Sequence, residues 1–248
     1  MKIAFKTDIG KAREENQDYV GVFKNLDKLT FAIVADGIGG HQGGDVASSM
    51  AVSHIGRHFE ETSFDTPLMA VQWLSSEVRD ENAQIIAKAE QFTDLHGMGT
   101  TLVAAIIFDD QMIVANIGDS RGYLNRDGKL SQLTEDHSLV NELVKRGAIT
   151  EDEARTHPQK NIITRTLGIS DDADIDVNLY KFKDKDRLLL CTDGLSNMVE
   201  NDQMLSVLES DTSTDQKCEQ LINDANQAGG PDNITVLIVE NNQEDDQS

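Results

Sequence analysis

The sequence predicts an α+β fold in which antiparallel strands and paired helices stack as layers. Three observations carry this reading. Short β-rich apolar runs recur and several break into Gly-containing turns, two successive segments show helical spacing, and the order of elements lacks the strand-helix-strand alternation that winds a parallel sheet.

In chain order, residues 19–23 and 29–35 read as strands, and the second breaks into Asp36-Gly37. Residues 45–61 place Val46, Ala47, Met50, Ala51, Ile55 and Phe59 on one helical face, and 67–92 do the same with Val71, Leu74, Val78, Ile85 and Ala89. Strands follow at 100–108 and 112–117, the latter running into Gly118-Asp119-Ser120. A strand at 122–125 meets Asp127-Gly128, a hairpin signal toward 129–133. A helix over 138–146 stops at Gly147. Residues 147–170, polar and with few apolar anchors around Pro158, read as a mobile flap. Strands at 176–182 and 187–191 precede Asp193-Gly194, a helix over 214–228 closes on Gly229-Gly230, and a strand at 233–239 follows Asp232. Residues 1–240 are expected to form a single domain and the acidic residues 241–248 a disordered tail.

The 44 acidic and 22 basic side chains give a formal net charge of −22, which repels nucleic acid and anionic lipid. No apolar stretch reaches the roughly 18 residues of a membrane helix, and the first residues lack a signal-peptide core. A cytoplasmic protein with no nucleic-acid partner and no membrane insertion is expected. Cys191 and Cys218 lie far apart in apolar-patterned segments and read as buried thiols.

Four aspartates, Asp36, Asp119, Asp193 and Asp232, sit at strand ends in separate parts of the chain. One Asp-Gly is usually only a turn. Four that converge would repel one another unless cations stood between them, and all-oxygen donors select Mg²⁺ or Mn²⁺. The Gly-rich stretch 36–44 fails the dinucleotide and P-loop spacings, because Gln42 stands where glycine is required and no Gly-Lys-Ser/Thr follows. His54 and His58 are spaced i, i+4 like zinc ligands, but Ile55 replaces the glutamate of that motif.

Seven motifs in order, Arg13-Glu-Glu-Asn-Gln-Asp18, Val34-Ala-Asp-Gly-Ile-Gly-Gly-His41, Gly97-Met-Gly-Thr-Thr-Leu102, Ala115-Asn-Ile-Gly-Asp-Ser-Arg121, Thr134-Glu-Asp-His-Ser138, Leu190-Cys-Thr-Asp-Gly-Leu195 and Gly230-Pro-Asp-Asn-Ile-Thr235, span nearly the whole chain. In these it resembles the metal-dependent protein phosphatases of the PPM group, the type 2C serine/threonine phosphatases, in their compact bacterial form. The resemblance implies an α/β/β/α sandwich, two central antiparallel sheets flanked by helix pairs. It implies that Asp36 bridges two metals, that the Gly37 carbonyl holds one, and that Asp193 and Asp232 complete the other, with Asp18 acting through water. Asp119 would join Asp193 on a third, weaker ion, and Arg13 would fork onto the substrate phosphate, its bland alternative being a surface pair with Glu14 or Glu15. Gln17 departs from members that carry Glu beside this Asp.

The activity so implied is Mn²⁺- or Mg²⁺-dependent hydrolysis of phosphoserine and phosphothreonine in proteins by a metal-bridged hydroxide, opposing a bacterial serine/threonine kinase. A monomer is expected. His41, in the loop after Gly37, is the candidate general acid against a reading of loop packing. Gly147, Arg155, Lys160 and Arg165 mark the flap and would bear on selectivity. Two other readings stay open: hydrolysis of a small phosphate ester or nucleotide, and a non-catalytic metal-stabilised binding module.

Overall fold

The computed structural model describes residues 1–39 and 43–242. Its elements are β1 (Lys2–Asp8), β2 (Asp18–Lys24), β3 (Thr30–Ile38), α1 (Gly44–Glu60), α2 (Pro67–Gln91), β4 (Gly99–Thr100), β5 (Leu102–Ile107), β6 (Gln111–Ile117), β7 (Arg121–Arg126) and β8 (Lys129–Gln132). There follow α3 (Leu139–Lys145), α4 (Glu151–Thr156), β9 (Asp176–Lys181), β10 (Arg187–Cys191), α5 (Asp193–Ser196), α6 (Asn201–Glu209), α7 (Thr214–Gln227) and β11 (Ile234–Glu240). One sheet orders β1-β11-β10-β7-β8, the other β2-β3-β5-β6-β9 with β4 attached to β3. Every strand pair is antiparallel.

Strand side chains alternate faces, so each strand serves two cores. In β3, Phe31, Ile33 and Ala35 pack with Ile55 and Phe59 of α1 and Leu74 and Val78 of α2. Its Ala32 and Val34 point the other way, into a layer shared with Leu188, Leu190, Leu237 and Val239 of the opposite sheet. In β11, Ile234, Val236 and Ile238 face Leu221 and Ala225 of α7 and Met204 and Leu208 of α6. This is the α/β/β/α sandwich. Burial of both strand faces also explains why these strands read as continuous apolar runs rather than as polar-apolar alternation.

Capping matches the predicted helix starts. Thr66 accepts from the Met69 amide ahead of Pro67, and Ser213 forms a reciprocal capping box with Gln216. His54 and His58 face α2, where they bond Glu81 and Glu77, so each has a carboxylate partner between the helices. Both cysteines are free and buried. Among the described residues no helix is long and apolar enough to cross a membrane.

Four expectations change. Strand β1 carries no sequence signal because it is an edge strand with only Ala4 fully buried. The run at 100–108 divides into β4 and β5 at Thr101. The stretch 147–170, with its few apolar residues, is still anchored: it contains α4, and Leu167 is fully buried and bridges Thr100. Finally Asn241, assigned to the tail from sequence, is buried, its amides donating to the carbonyls of Asp186 and Phe182. The rest of the predicted tail, 243–248, lies outside the described residues.

Candidate metal centre

Sheet register brings the first two carboxylates together. Asp18 opens β2 directly opposite Asp36 in β3. The Asp36 backbone is then locked: its amide donates to Thr101 Oγ1 at 3.0 Å, and its carbonyl accepts from Thr100 Oγ1 and the Thr101 amide, both at 2.9 Å. These bonds account for the break between β4 and β5. Gly37 follows, its amide donating to the Gln17 carbonyl at 3.1 Å. A Cβ here would stand 2.2 Å from the Gly44 carbonyl oxygen, so only glycine lets the start of α1 approach the strand this closely.

The remaining carboxylates arrive from the other strand ends. Asp119 sits in the turn from β6 to β7, after Gly118 at φ 105°. Asp193 begins α5 two residues past β10, and its Oδ2 accepts from Asn197 Nδ2 at 3.0 Å. Asp232 precedes β11 and binds Arg13 Nη2 through Oδ2 at 2.9 Å. Arg13 thus takes neither Glu14 nor Glu15 as its partner, but one of the predicted metal ligands.

Burial and mutual repulsion dominate the electrostatics. Asp36 is pushed well above the usual carboxylate range by burial, then by Asp18, Asp193, Asp119 and Asp232. Burial pushes Asp18 up to about 7, against hydrogen bonds from Thr235 and Thr192. Asp119 rises to about 7 through burial and Asp193. Asp193 rises to about 6 through burial and Asp232, partly offset by a hydrogen bond with Asp36.

Asp18 Oδ1, Asp119 Oδ1 and Asp193 Oδ1 are buried without a hydrogen-bond partner. Buried carboxylate oxygens left so are costly, and bound divalent cations with their waters would satisfy them. Among the described residues no three His, Cys, Asp or Glu side chains form a closed metal-binding group. A hard cation of the Mg²⁺ kind takes one or two carboxylates and keeps much of its water. The donor set fits such an ion.

The flanking predictions divide. A cavity of about 490 Å³ adjoins the carboxylates, its lining including Asp119, Asp193, Arg155, Lys160, Glu200 and Asn201, with Arg155 Nη1 donating to Glu200 Oε2 at 3.3 Å. Arg165 is engaged elsewhere, donating to Asp176 Oδ1 and the Asp174 carbonyl, and Gly147 ends α3 at φ 67°. His41 lies outside the described residues. The groups that hold these carboxylates carry no signal of their own in the sequence. Thr192 and Thr235 both donate to Asp18 Oδ2, at 2.9 and 2.7 Å. Asn233 receives the Gln17 amide and donates to the carbonyls of Ile9 and Glu15, tying the Arg13 loop to β11. Gln17, the departure noted in the motif, works chiefly through its backbone, whose carbonyl also accepts from Ser48 Oγ at 2.6 Å. The signal for Gln17, Thr192, Asn233 and Thr235 was adjacency, since each lies within three positions of a predicted ligand.

The family model described as protein phosphatase 2C matches residues 10–229. The chain belongs to the protein phosphatase 2C family. Among its relatives, the serine/threonine phosphatase stp of Listeria welshimeri is 48% identical over 246 residues, 98% of this chain and 96% of that one. Among solved structures, the S. agalactiae serine/threonine phosphatase superposes with a TM-score of 0.92 at 42% identity, covering 96% of this phosphatase 2C chain and 98% of the other. The catalytic domain of the serine threonine protein phosphatase PstP, in complex with 2 manganese ions, has a TM-score of 0.84 at 34% identity and covers 96% of each chain.

Proposed function

We propose that this chain removes phosphate from phosphoserine and phosphothreonine of proteins with Mn²⁺ or Mg²⁺ held at the carboxylate cluster. The class, a serine/threonine protein phosphatase, comes with the family. The observation that carries the chemistry is the set of three buried, unpartnered oxygens on Asp18, Asp119 and Asp193, in a cluster whose acids repel one another.

In this reading Asp36, the Gly37 carbonyl, Asp193 and Asp232 would hold two ions, Asp18 would act on them through water, and Asp119 with Asp193 would hold a weaker third. When bound, the cations supply a water acidified enough to attack at neutral pH and positive charge for the phosphoryl oxygens. The protein orients the rest. Arg13 swings from Asp232 to grip the phosphate dianion in a bidentate fork. His41 gives the leaving seryl or threonyl oxygen its proton. Residues flanking the phosphorylated side chain enter the cavity beside Arg155 and Lys160, while Gly147 and Arg165 frame the flap. A cytoplasmic monomer opposing a bacterial serine/threonine kinase fits this assignment, and the net charge of −22 makes nucleic acid an unsuitable partner.

The test is Mn²⁺ titration of phosphopeptide hydrolysis with the parent and Asp193→Asn. The amide keeps the shape but loses the charge, and turnover at limiting Mn²⁺ should fall by about two orders of magnitude or more, with calorimetric Mn²⁺ affinity falling in step. Parent-like rates in this variant, or full activity in excess chelator, would refute the assignment.

A further inference from the structure

His137 is buried and lies outside the ligand set, yet it touches the turn that carries Asp119 from two sides. Its backbone amide donates to the Gly118 carbonyl at 2.9 Å, and the Gly118 amide donates to its Nδ1 at 3.1 Å. Gly118 itself adopts φ 105°, and a Cβ there would come 2.5 Å from the Thr101 side chain, so the turn is held by these backbone bonds and by fit rather than by a side chain of its own. Across the ring, Nε2 lies 3.2 Å from Asp176 Oδ2.

The tautomer follows from the partners. A backbone N–H can only donate, so Nδ1 presents its lone pair, and the ring proton sits on Nε2, where a carboxylate accepts it. Only this neutral form satisfies both ends. A proton on Nδ1 would face the Gly118 N–H directly. Burial holds the ring in the neutral form, drawing its pKa below the ordinary histidine value against the opposing Asp176 bond. Arg165, which also grips Asp176, and the Thr164 amide, which donates to the His137 carbonyl at 2.8 Å, join the end of the flap to the same point.

We propose that His137 is a positioning residue for the phosphatase reaction: as the Nε2–H tautomer, oriented by Asp176, it fixes the Gly118 turn and so aims the Asp119 carboxylate into the metal centre. The inference rests on Asp119 holding metal, as set out above. Groups that orient a ligand from behind typically change metal affinity or activity about 10- to 100-fold when lost.

The test compares His137→Ala, which removes the acceptor, with His137→Asn, whose Oδ1 can take the Gly118 amide in place of Nδ1. In His137→Ala, calorimetry with Mn²⁺ alone should show the two tight binding events little changed and the weaker one lost or about tenfold weaker. Phosphopeptide kcat should fall about tenfold or more with KM nearly constant, and His137→Asn should regain most of both. Nitrogen-15 NMR of the unaltered protein should show Nδ1 unprotonated and Nε2 protonated at neutral pH, and this holds even where the alanine variant fails to fold. A proton on Nδ1, parent-like metal binding and kcat in His137→Ala, or equal damage in the Ala and Asn variants would overturn the positioning role. An Asp119→Ala control with an unaltered weak Mn²⁺ event would instead overturn the metal assignment beneath it.

Discussion

Arg13 occupies a position with two possible uses. Its guanidinium lies on Asp232, and both side chains are partly open to water, 53% and 34% exposed, so the pair is weak and easily exchanged. A phosphate dianion offers the same fork a stronger bidentate partner, and a cation on Asp232 removes the incentive to keep the pair. Arg13→Ala is therefore expected to raise KM for a phosphopeptide about tenfold or more, with a smaller change in kcat, while leaving Mn²⁺ affinity equal or slightly higher because Asp232 loses a competitor. Steady-state kinetics and calorimetry read the two effects separately. Weaker Mn²⁺ binding in this variant would mean that Arg13 builds the metal centre instead of serving substrate. At this scale the candidate ligands were legible in the sequence and their supports were not. The hydroxyls of Thr192 and Thr235 look like ordinary β-branched strand residues, and only the folded sheet aims both at Asp18 Oδ2.

Helices α1 and α2 meet over an ionisable pair that the fold keeps dry on one side. Glu81 is fully buried, and both its oxygens lie within 3.1 Å of His54 Nδ1. Burial, then repulsion from Glu77, pushes Glu81 up to about 8, and burial likewise draws His54 down, so the neutral pair is favoured. The sign follows. An acid whose folded pKa exceeds its unfolded value near 4.5 contributes stability that is complete below about 4.5 and is lost as pH rises through 8. Glu81→Gln mimics the neutral form. Measured with Mn²⁺ saturating, its melting temperature should match the parent near pH 5 and exceed it increasingly toward pH 9. A constant offset across that range would show that Glu81 is ionised in the folded protein throughout. The helices themselves were legible because their apolar residues recur at helical spacing, which lays α1 on β2 and β3 and α2 against α1. Strand β1 and helix α6 were not. The first is an edge strand, and the second is a short helix in which only Met204 and Leu208 are buried, too few to establish a period. The division at Thr101 was equally hidden, since two successive threonines favour continued strand and the cause is tertiary, their bonds to Asp36 and Ser120.

In the whole molecule the two sheets supply a rigid apolar frame, and the acids stand where strands from both of them end. The frame was readable as apolar runs and the site as Asp-Gly breaks. What the sequence could not state is the degree of burial, which turns Asp18, Asp36, Asp119 and Asp193 into a strained cluster. Burial pushes Asp18 and Asp119 up to about 7 and Asp193 up to about 6, against 3.8 for an ordinary aspartate, and raises Asp36 well above that value. Between pH 4 and 7 the folded, metal-free chain therefore holds more protons than the unfolded chain, and its stability falls as pH rises through that window. A cation replaces those protons, so its affinity should climb over the same range and its binding should release protons. In excess chelator the melting temperature should drop steadily from pH 5 to pH 8, whereas saturating Mn²⁺ should remove most of the drop. Calorimetry in two buffers of different ionisation enthalpy should report proton release near pH 6 that shrinks by pH 8. The net charge of −22 adds general self-repulsion of the same sign, and Asp193→Asn separates the two, because it relieves the cluster while changing the total by a single charge. A drop in chelator as steep in that variant as in the parent would assign the effect to overall charge, and a parent melting curve that rises from pH 5 to pH 8 would mean that the cluster is ionised without any cation to hold it.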